Sequence, residues 1–478
     1  STRKESSAAS DVYKRQTYNM DGNPVLMTGS RNAGIRDAME NNRQNAGPEI
    51  RSVYTYDERG FLASASEGGT VYHYTRDSEG RILTKSAWGK TLYETSYGAD
   101  GKPSGIVAQG VRTDYTYDAA GRLKKLVSDN GLSVQYRYDR NGMQTQMLYG
   151  NGLVTAYTYD SRSRLTGMQS GFPGQTLLFD ASYTYDASGN RTGRQESFLH
   201  RPDNCQETLT TKYGYDSMNR LVSENRGDSR ISYKYDLSGN RISRVTDGRT
   251  ENYLYNSRNQ LTQLTGDDKN ISYTYDPAGN LTGEHSTEHK KIYSYDTYNR
   301  NTETTGNGVK QTNHYDAEGY RYSLEENDKV TNFVYHGGTM LAELDEVKNL
   351  TKSYVPGNEY AGHEVNSPDS SLTGGSPQTS YYITDEQGSI RYILDQSGEV
   401  LNFYQYSAFG ETIISEETTP NRLRYNAQTE DELTGLYYLR ARYYAPDIGR
   451  FTQEDVIYND GLNLYAYCCL LYTSDAAD

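Results

Sequence analysis

The sequence predicts an all-β protein assembled from β-hairpins placed one after another. Three observations carry that reading: a short unit of fixed grammar, its return at a fixed interval, and a composition dominated by one aromatic residue. The unit is clearest at Tyr273-Thr-Tyr-Asp276-Pro-Ala-Gly279-Asn280-Leu281. Tyr273 and Tyr275 are two residues apart, so on an extended strand they share a face. Asp276 to Gly279 supplies turn chemistry: Asp accepts backbone N–H groups, Pro sets φ, and Gly permits a left-handed exit. Leu281 then opens a second extended run, giving strand, turn, strand.

The turn slot recurs at Asp57, Asp77, Asp118, Asp139, Asp160, Asp186, Asp216, Asp236, Asn256, Asp276, Asp296, Asp316 and His336, mostly 20 or 21 residues apart. A degenerate copy at Tyr97-Gly98-Ala99 fills the wide gap after Asp77. About 20 residues hold two strands of ~5–6 residues and their connections. One hairpin cannot bury its own face, so such units must pair side by side into a continuous sheet. Two longer steps contain Ser170-Gly-Phe-Pro-Gly-Gln and His200-Arg-Pro-Asp-Asn-Cys205, which read as loop insertions at the rim.

A hydrophobic content of 34% and a mean hydropathy of −0.90 would ordinarily point to disorder. The 48 tyrosines oppose that, because they occupy fixed places in the repeat. Tyr is a strand former with an apolar body and a polar tip, so neighbouring copies are expected to stack their rings into ladders. The net charge of −14, without a basic cluster, disfavours nucleic-acid binding and suits an extended soluble sheet. No apolar run approaches the ~20 residues of a membrane-spanning helix.

Taken in order, residues 1–16 and 468–478 form a pair: DVYKRQ and CLLYTS can be back-translated to reverse complements of one DNA string, as expected of a translated sequencing adapter. The natural segment is then an internal piece, about Thr17 to Tyr467. Residues 17–50 read as a partial or degenerate repeat and 51–340 as the array. The spacing fades after Val334, and the polar stretch at 366–378 reads as an exposed loop. A short helix is expected around Asn426–Gly435. Cys205 is the one cysteine outside the adapter and its junction, so neither a disulfide framework nor a cysteine-based metal site is expected.

The pattern Y-x-Y-D-x-x-G-[RN]-[LR], as in YTYDAAGRL, YTYDASGNR and YKYDLSGNR, resembles the YD repeat of the Rhs family. Residues 341–467 resemble that family's repeat-associated core. The match rests on Arg442, Tyr443, Tyr444, Pro446, Gly449, Arg450, Phe451, Asp455, Asn463, Leu464, Tyr465 and Tyr467. Ala445 and Val456 depart from the family's Asp and Pro. The resemblance implies a curved or spiral hollow shell of YD-repeat hairpins, closed at the C-terminal side by a core or plug segment. It also implies a secreted or cell-surface bacterial protein that encloses and presents a C-terminal effector absent from this chain. Secretion machinery and cell-surface glycans are further partners in that reading. The alternative is a wall-associated YD-repeat adhesin that binds carbohydrate or partner proteins.

Some family members cleave themselves at the core with aspartates, which makes Asp455 the candidate autoproteolysis acid. Carboxylate-driven peptide hydrolysis needs two carboxyl groups close together, one ionised and one protonated. The partner of Asp455 is either absent at Ala445 or beyond Tyr467, so this chain is not expected to act as an enzyme. The turn aspartates offer one carboxylate per copy, too few for calcium, and are read as structural. His285-Ser-Thr-Glu288-His289 matches a zinc-protease pattern that requires a helix; on a strand the two imidazoles would lie ~13 Å apart. No cofactor or metal is expected.

Overall fold

The computed structural model describes residues 2–5, 12–31, 50–200, 205–288, 290–365, 378–456 and 463–467. His289, most of the 366–378 stretch and residues 468–478 therefore lie outside the described residues. One 37-stranded sheet runs from Thr2–Glu5 to Thr412–Glu417, with every strand antiparallel to the strands before and after it. It is a meander, and among the described residues no pairing joins its first strand to its last. The sheet crosses position 340 without a break, through Lys329–His336 and Thr339–Leu344. A second sheet of four short strands, Thr429–Glu430, Tyr437–Leu439, Arg442–Ala445 and Arg450–Phe451, forms the plug.

The hairpin unit forms for the reasons its residues suggest. Strand Asn270–Tyr275 pairs with Leu281–His285, and the register shifts at Thr274/Tyr275, a bulge just before the turn. Gly279 N–H donates to Asp276 O (3.0 Å) and Asp276 N–H to Asn280 O (3.0 Å), closing a three-residue loop. Gly279 sits at φ +87°; where glycine is missing, Asn takes the left-handed position at Asn219 (φ 59°), Asn259 (φ 59°) and Asn299 (φ 63°), and Ser163 (φ 62°) takes it in the Asp160 turn.

The sheet also rolls back over itself. Tyr54 donates to Ala317 O, 263 residues away, and Tyr149 to Tyr382 O, 233 away. Arg391 reaches Glu196 across 195 residues and Arg244 reaches Glu411 across 167. The shrinking separations describe a coil that tightens toward the C-terminus. Its later strands are covered on both faces. Tyr381, Ile383, Tyr392, Leu394 and Phe403 pack with the array residues 123–198. Their alternates, Tyr382, Ile393 and Tyr404, pack with residues 253–335 and the plug. Strand periodicity thus makes residues 378–406 a wall between two cores. The spiral is present, but where these strands lie its interior is filled by the chain's own side chains.

Two expectations change here. No α-helix forms at Asn426–Gly435: Tyr425–Ala427 is a 3-10 turn with left-handed Asn426, and Thr429–Glu430 pairs with Tyr437–Tyr438. The His200–Cys205 insertion does not simply enlarge a loop. It lengthens the hairpin to strands Arg191–His200 and Cys205–Tyr215, of 10 and 11 residues.

Candidate functional site

The turn aspartates are used up locally. At Asp57, Asp118, Asp139, Asp160, Asp186, Asp216, Asp236, Asp276, Asp296 and Asp316, Oδ1 accepts the N–H four residues on at 2.8–3.0 Å. The second oxygen often takes the side chain of that same residue, such as Arg122 Nε (2.8 Å) or Asn280 Nδ2 (2.9 Å). The Arg122 side chain and the turn N–H groups hold the Asp118 carboxyl below its usual range.

That residue at the fourth position also joins one repeat to the next. Arg220 donates to Asp236 O (2.9 Å) and lies 4.9 Å over the Tyr235 ring. When it is Asn, it donates to the next turn instead, as Asn240 does to Asn259 Oδ1 (2.8 Å). The tyrosine just before most turn residues sends its hydroxyl back to the previous repeat, as Tyr235 does to Leu221 O (2.8 Å) and Tyr255 to Arg241 O (2.9 Å). The expected tyrosine ladder is therefore largely an arginine-on-tyrosine ladder. The ring-on-ring form occurs where Tyr320 replaces the cation and stacks on Tyr335 (5.4 Å).

The plug residues are distributed as anchors on the array. Arg450 donates to Asn259 O (2.5 Å) and lies over Tyr255 (4.8 Å) and Tyr465 (5.0 Å). The Tyr465 hydroxyl donates to Gly279 O (2.7 Å), and Asn463 Nδ2 donates to Asn240 Oδ1 (2.9 Å). The Tyr444 hydroxyl donates to Phe409 O (2.6 Å), and Tyr444 and Phe451 meet edge to face at 6.0 Å. Gly449, at φ +66°, brings the backbone close to Arg241 and Phe409.

The strongest anchor is one the sequence reading missed. Arg321 and Asp431 are both fully buried, with Nη1 to Oδ2 at 2.6 Å and Nη2 to Oδ1 at 2.8 Å. Arg321 Nη1 also donates to the Tyr443 hydroxyl (3.0 Å), and the guanidinium lies 4.4 Å from the Tyr438 ring centroid. Its only sequence signal is Arg321 standing next to the turn residue that should be Arg or Asn.

Asp455 lies in an ion pair. Its carboxylate meets Arg442 Nη2 (2.7 Å), and its N–H donates to Leu464 O (3.0 Å). Arg442 also stacks 3.7 Å over Phe451. Ala445 is buried with Ile448 and Tyr443 and supplies no carboxyl group. Another acid, Glu284, is pushed up by burial and by neighbouring Asp447, with the Tyr293 hydroxyl donating to it (2.7 Å). Among the described residues one grouping of metal-ligand types comes together, His200 with Cys205 and Glu207. No helix of the described residues is long and apolar enough to cross a membrane.

The described residues thus form a hairpin array with a C-terminal segment anchored on it. The RHS Repeat family model matches residues 117–154 and 255–291, and the Teneurin YD-shell model matches 373–471. In these segments the chain is similar to RHS-repeat and teneurin YD-shell proteins. It is 38% identical to the tRNA nuclease WapA of Bacillus subtilis over 149 residues, 30% of this chain and 6% of that protein. It is 37% identical to the double-stranded DNA deaminase toxin A of Burkholderia cenocepacia over 93 residues, 18% of this chain and 6% of that protein. The crystal structure of TcdB2-TccC3-TEV aligns with 96% of this chain and 31% of its own, at 17% identity and a TM-score of 0.48. The chain thus matches only a small part of the length of these relatives.

Proposed function

We propose that this chain is shell and plug of a secreted bacterial Rhs-type toxin, which encloses and presents an effector encoded after the plug. The carrying observation is that the core-motif residues Arg450, Asn463 and Tyr465 each bond to an array repeat. Those bonds favour a closed end of the array over an open edge. Relatives named as a nuclease and a deaminase toxin support the reading; those activities are theirs. In this chain Asp455 acts as a clasp with Arg442, and the shell catalyses nothing by itself.

Extending the gene past Tyr467 tests the proposal. The expected result is an unrelated domain of ~100 residues or more, resistant to protease while the shell is intact and cut once it is unfolded. A stop codon directly after the core, or a following domain as accessible as a free one, would overturn it.

A further inference from the structure

The hairpin of Arg191–His200 and Cys205–Tyr215 ends in the pairs Phe198↔Glu207, Leu199↔Gln206 and His200↔Cys205. Cross-strand partners share a face, and so do residues two apart on one strand. His200, Cys205 and Glu207 therefore gather on one side of the hairpin end, and one ligand atom of each lies within 4.8 Å of the others. His200 Nδ1 is 3.2 Å from Glu207 Oε1, while Nε2 is 2.8 Å from Glu416 Oε1. Glu416 comes from Thr412–Glu417, the last strand of the coil, and its Oε2 is buried without a hydrogen-bond partner. The Phe403 ring meets the imidazole edge to face at 5.8 Å.

The geometry points to a binding site for one divalent transition-metal ion of the zinc class, with His200 Nδ1, Cys205 Sγ and a Glu207 oxygen as ligands. Thiolate, imidazole and carboxylate are the donors such an ion prefers, and three protein ligands leave its fourth position to water. Two ligands each ~2.0–2.1 Å from a tetrahedral centre stand about 3.3 Å apart, close to the nitrogen–oxygen separation seen here. Glu416 does what outer-shell carboxylates do for metal-bound histidines: it accepts the Nε2 proton and leaves Nδ1 facing the ion. A plain ion bridge would account for the imidazole between two glutamates, but not for the thiol converging on the same point. Exposed Cys205 and Glu207 give the ion a way in. Once bound, it would tie the lengthened hairpin of the outer coil to the strand that ends the inner one.

The test uses the reduced chain, stripped with a chelator and carrying Cys468→Ser and Cys469→Ser so that one thiol remains. Titration with Co2+ should give one equivalent of a thiolate-to-cobalt charge-transfer band, which Zn2+ displaces. Cys205→Ser should abolish the band and weaken Zn2+ binding at least 100-fold in calorimetry. Glu416→Gln should keep the band and weaken binding about 10- to 100-fold. Far-UV circular dichroism of each variant should match the parent, since Cys205 is exposed. Absence of the band in the parent, or Zn2+ binding by Cys205→Ser as tight as the parent's, would overturn the site.

Discussion

Strands Asn270–Tyr275 and Ile390–Asp395 belong to one meander, and each adjoins a turn built on an Asp, yet their surroundings differ. The first alternates between exposed and buried residues, whereas the second is buried at five of six positions. The turn bonds are the same: Asp385 Oδ1 accepts Ser389 N–H at 2.9 Å, as Asp276 Oδ1 accepts Asn280 N–H at 2.9 Å. Hairpin chemistry is local and indifferent to what covers the faces. The winding of the sheet decides which hairpins become wall and which remain surface.

The largest expected break in that contrast is at Arg321. Arg321→Ala leaves the Asp431 carboxylate buried without its countercharge and should cost ~3–5 kcal/mol in urea unfolding. Removing Arg122 from its partly exposed pair with Asp118 should cost far less. Next comes Ile393→Ala, at ~2–5 kcal/mol for a residue packed between array and plug. Leu254→Ala on the outer face, 55% exposed, should stay within ~0.5 kcal/mol.

Gly239 and Gly279 sharpen the comparison within the array, at φ +84° and +87°. Alanine at either should cost ~1–2 kcal/mol for the left-handed backbone. At Gly279 the added methyl also meets Glu454 and Tyr465 of the plug region, whereas at Gly239 it meets nothing. Gly279→Ala should therefore be the more destabilising and should speed proteolysis near residue 465.

A modest pH dependence comes last. Burial pushes the Glu251 carboxyl up, but Arg244 and Lys269 outweigh it and hold it at about 2 against a usual 4.5. Its contribution is complete above pH 4.5 and is lost as pH falls from there toward 2. Since Lys269 is half exposed, the size should be about 1 kcal/mol. The stability gap between the parent and Glu251→Gln should close over that pH window.

Much of this was legible in the repeat. The aspartate's two N–H bonds, the left-handed Gly and the hairpin follow from residues within five positions of one another. The role of the fourth-position Arg or Asn was visible as a pattern but not as a link, because its partner lies one repeat away. What joins distant turns of the coil carries no local signal: Arg321 meets Asp431 across 110 residues, and His200 meets a glutamate of the large sheet's last strand. Likewise, 381–394 reads as apolar strand text, but nothing in it says which core each face enters. The helix expected near Asn426 lost to the pairing of Thr429–Glu430 and to Asp431's bond with Arg321.

Hydrogen exchange read by mass spectrometry tests the rolled sheet most directly. The account predicts that amides in Gln378–Thr384, Ile390–Asp395 and Val400–Tyr406, walled on both faces, exchange slowest in the molecule. Those in Ser229–Tyr235 and Arg249–Tyr255, with one face toward solvent, should exchange faster. The reverse order, with the C-terminal strands exchanging before the array, would contradict it.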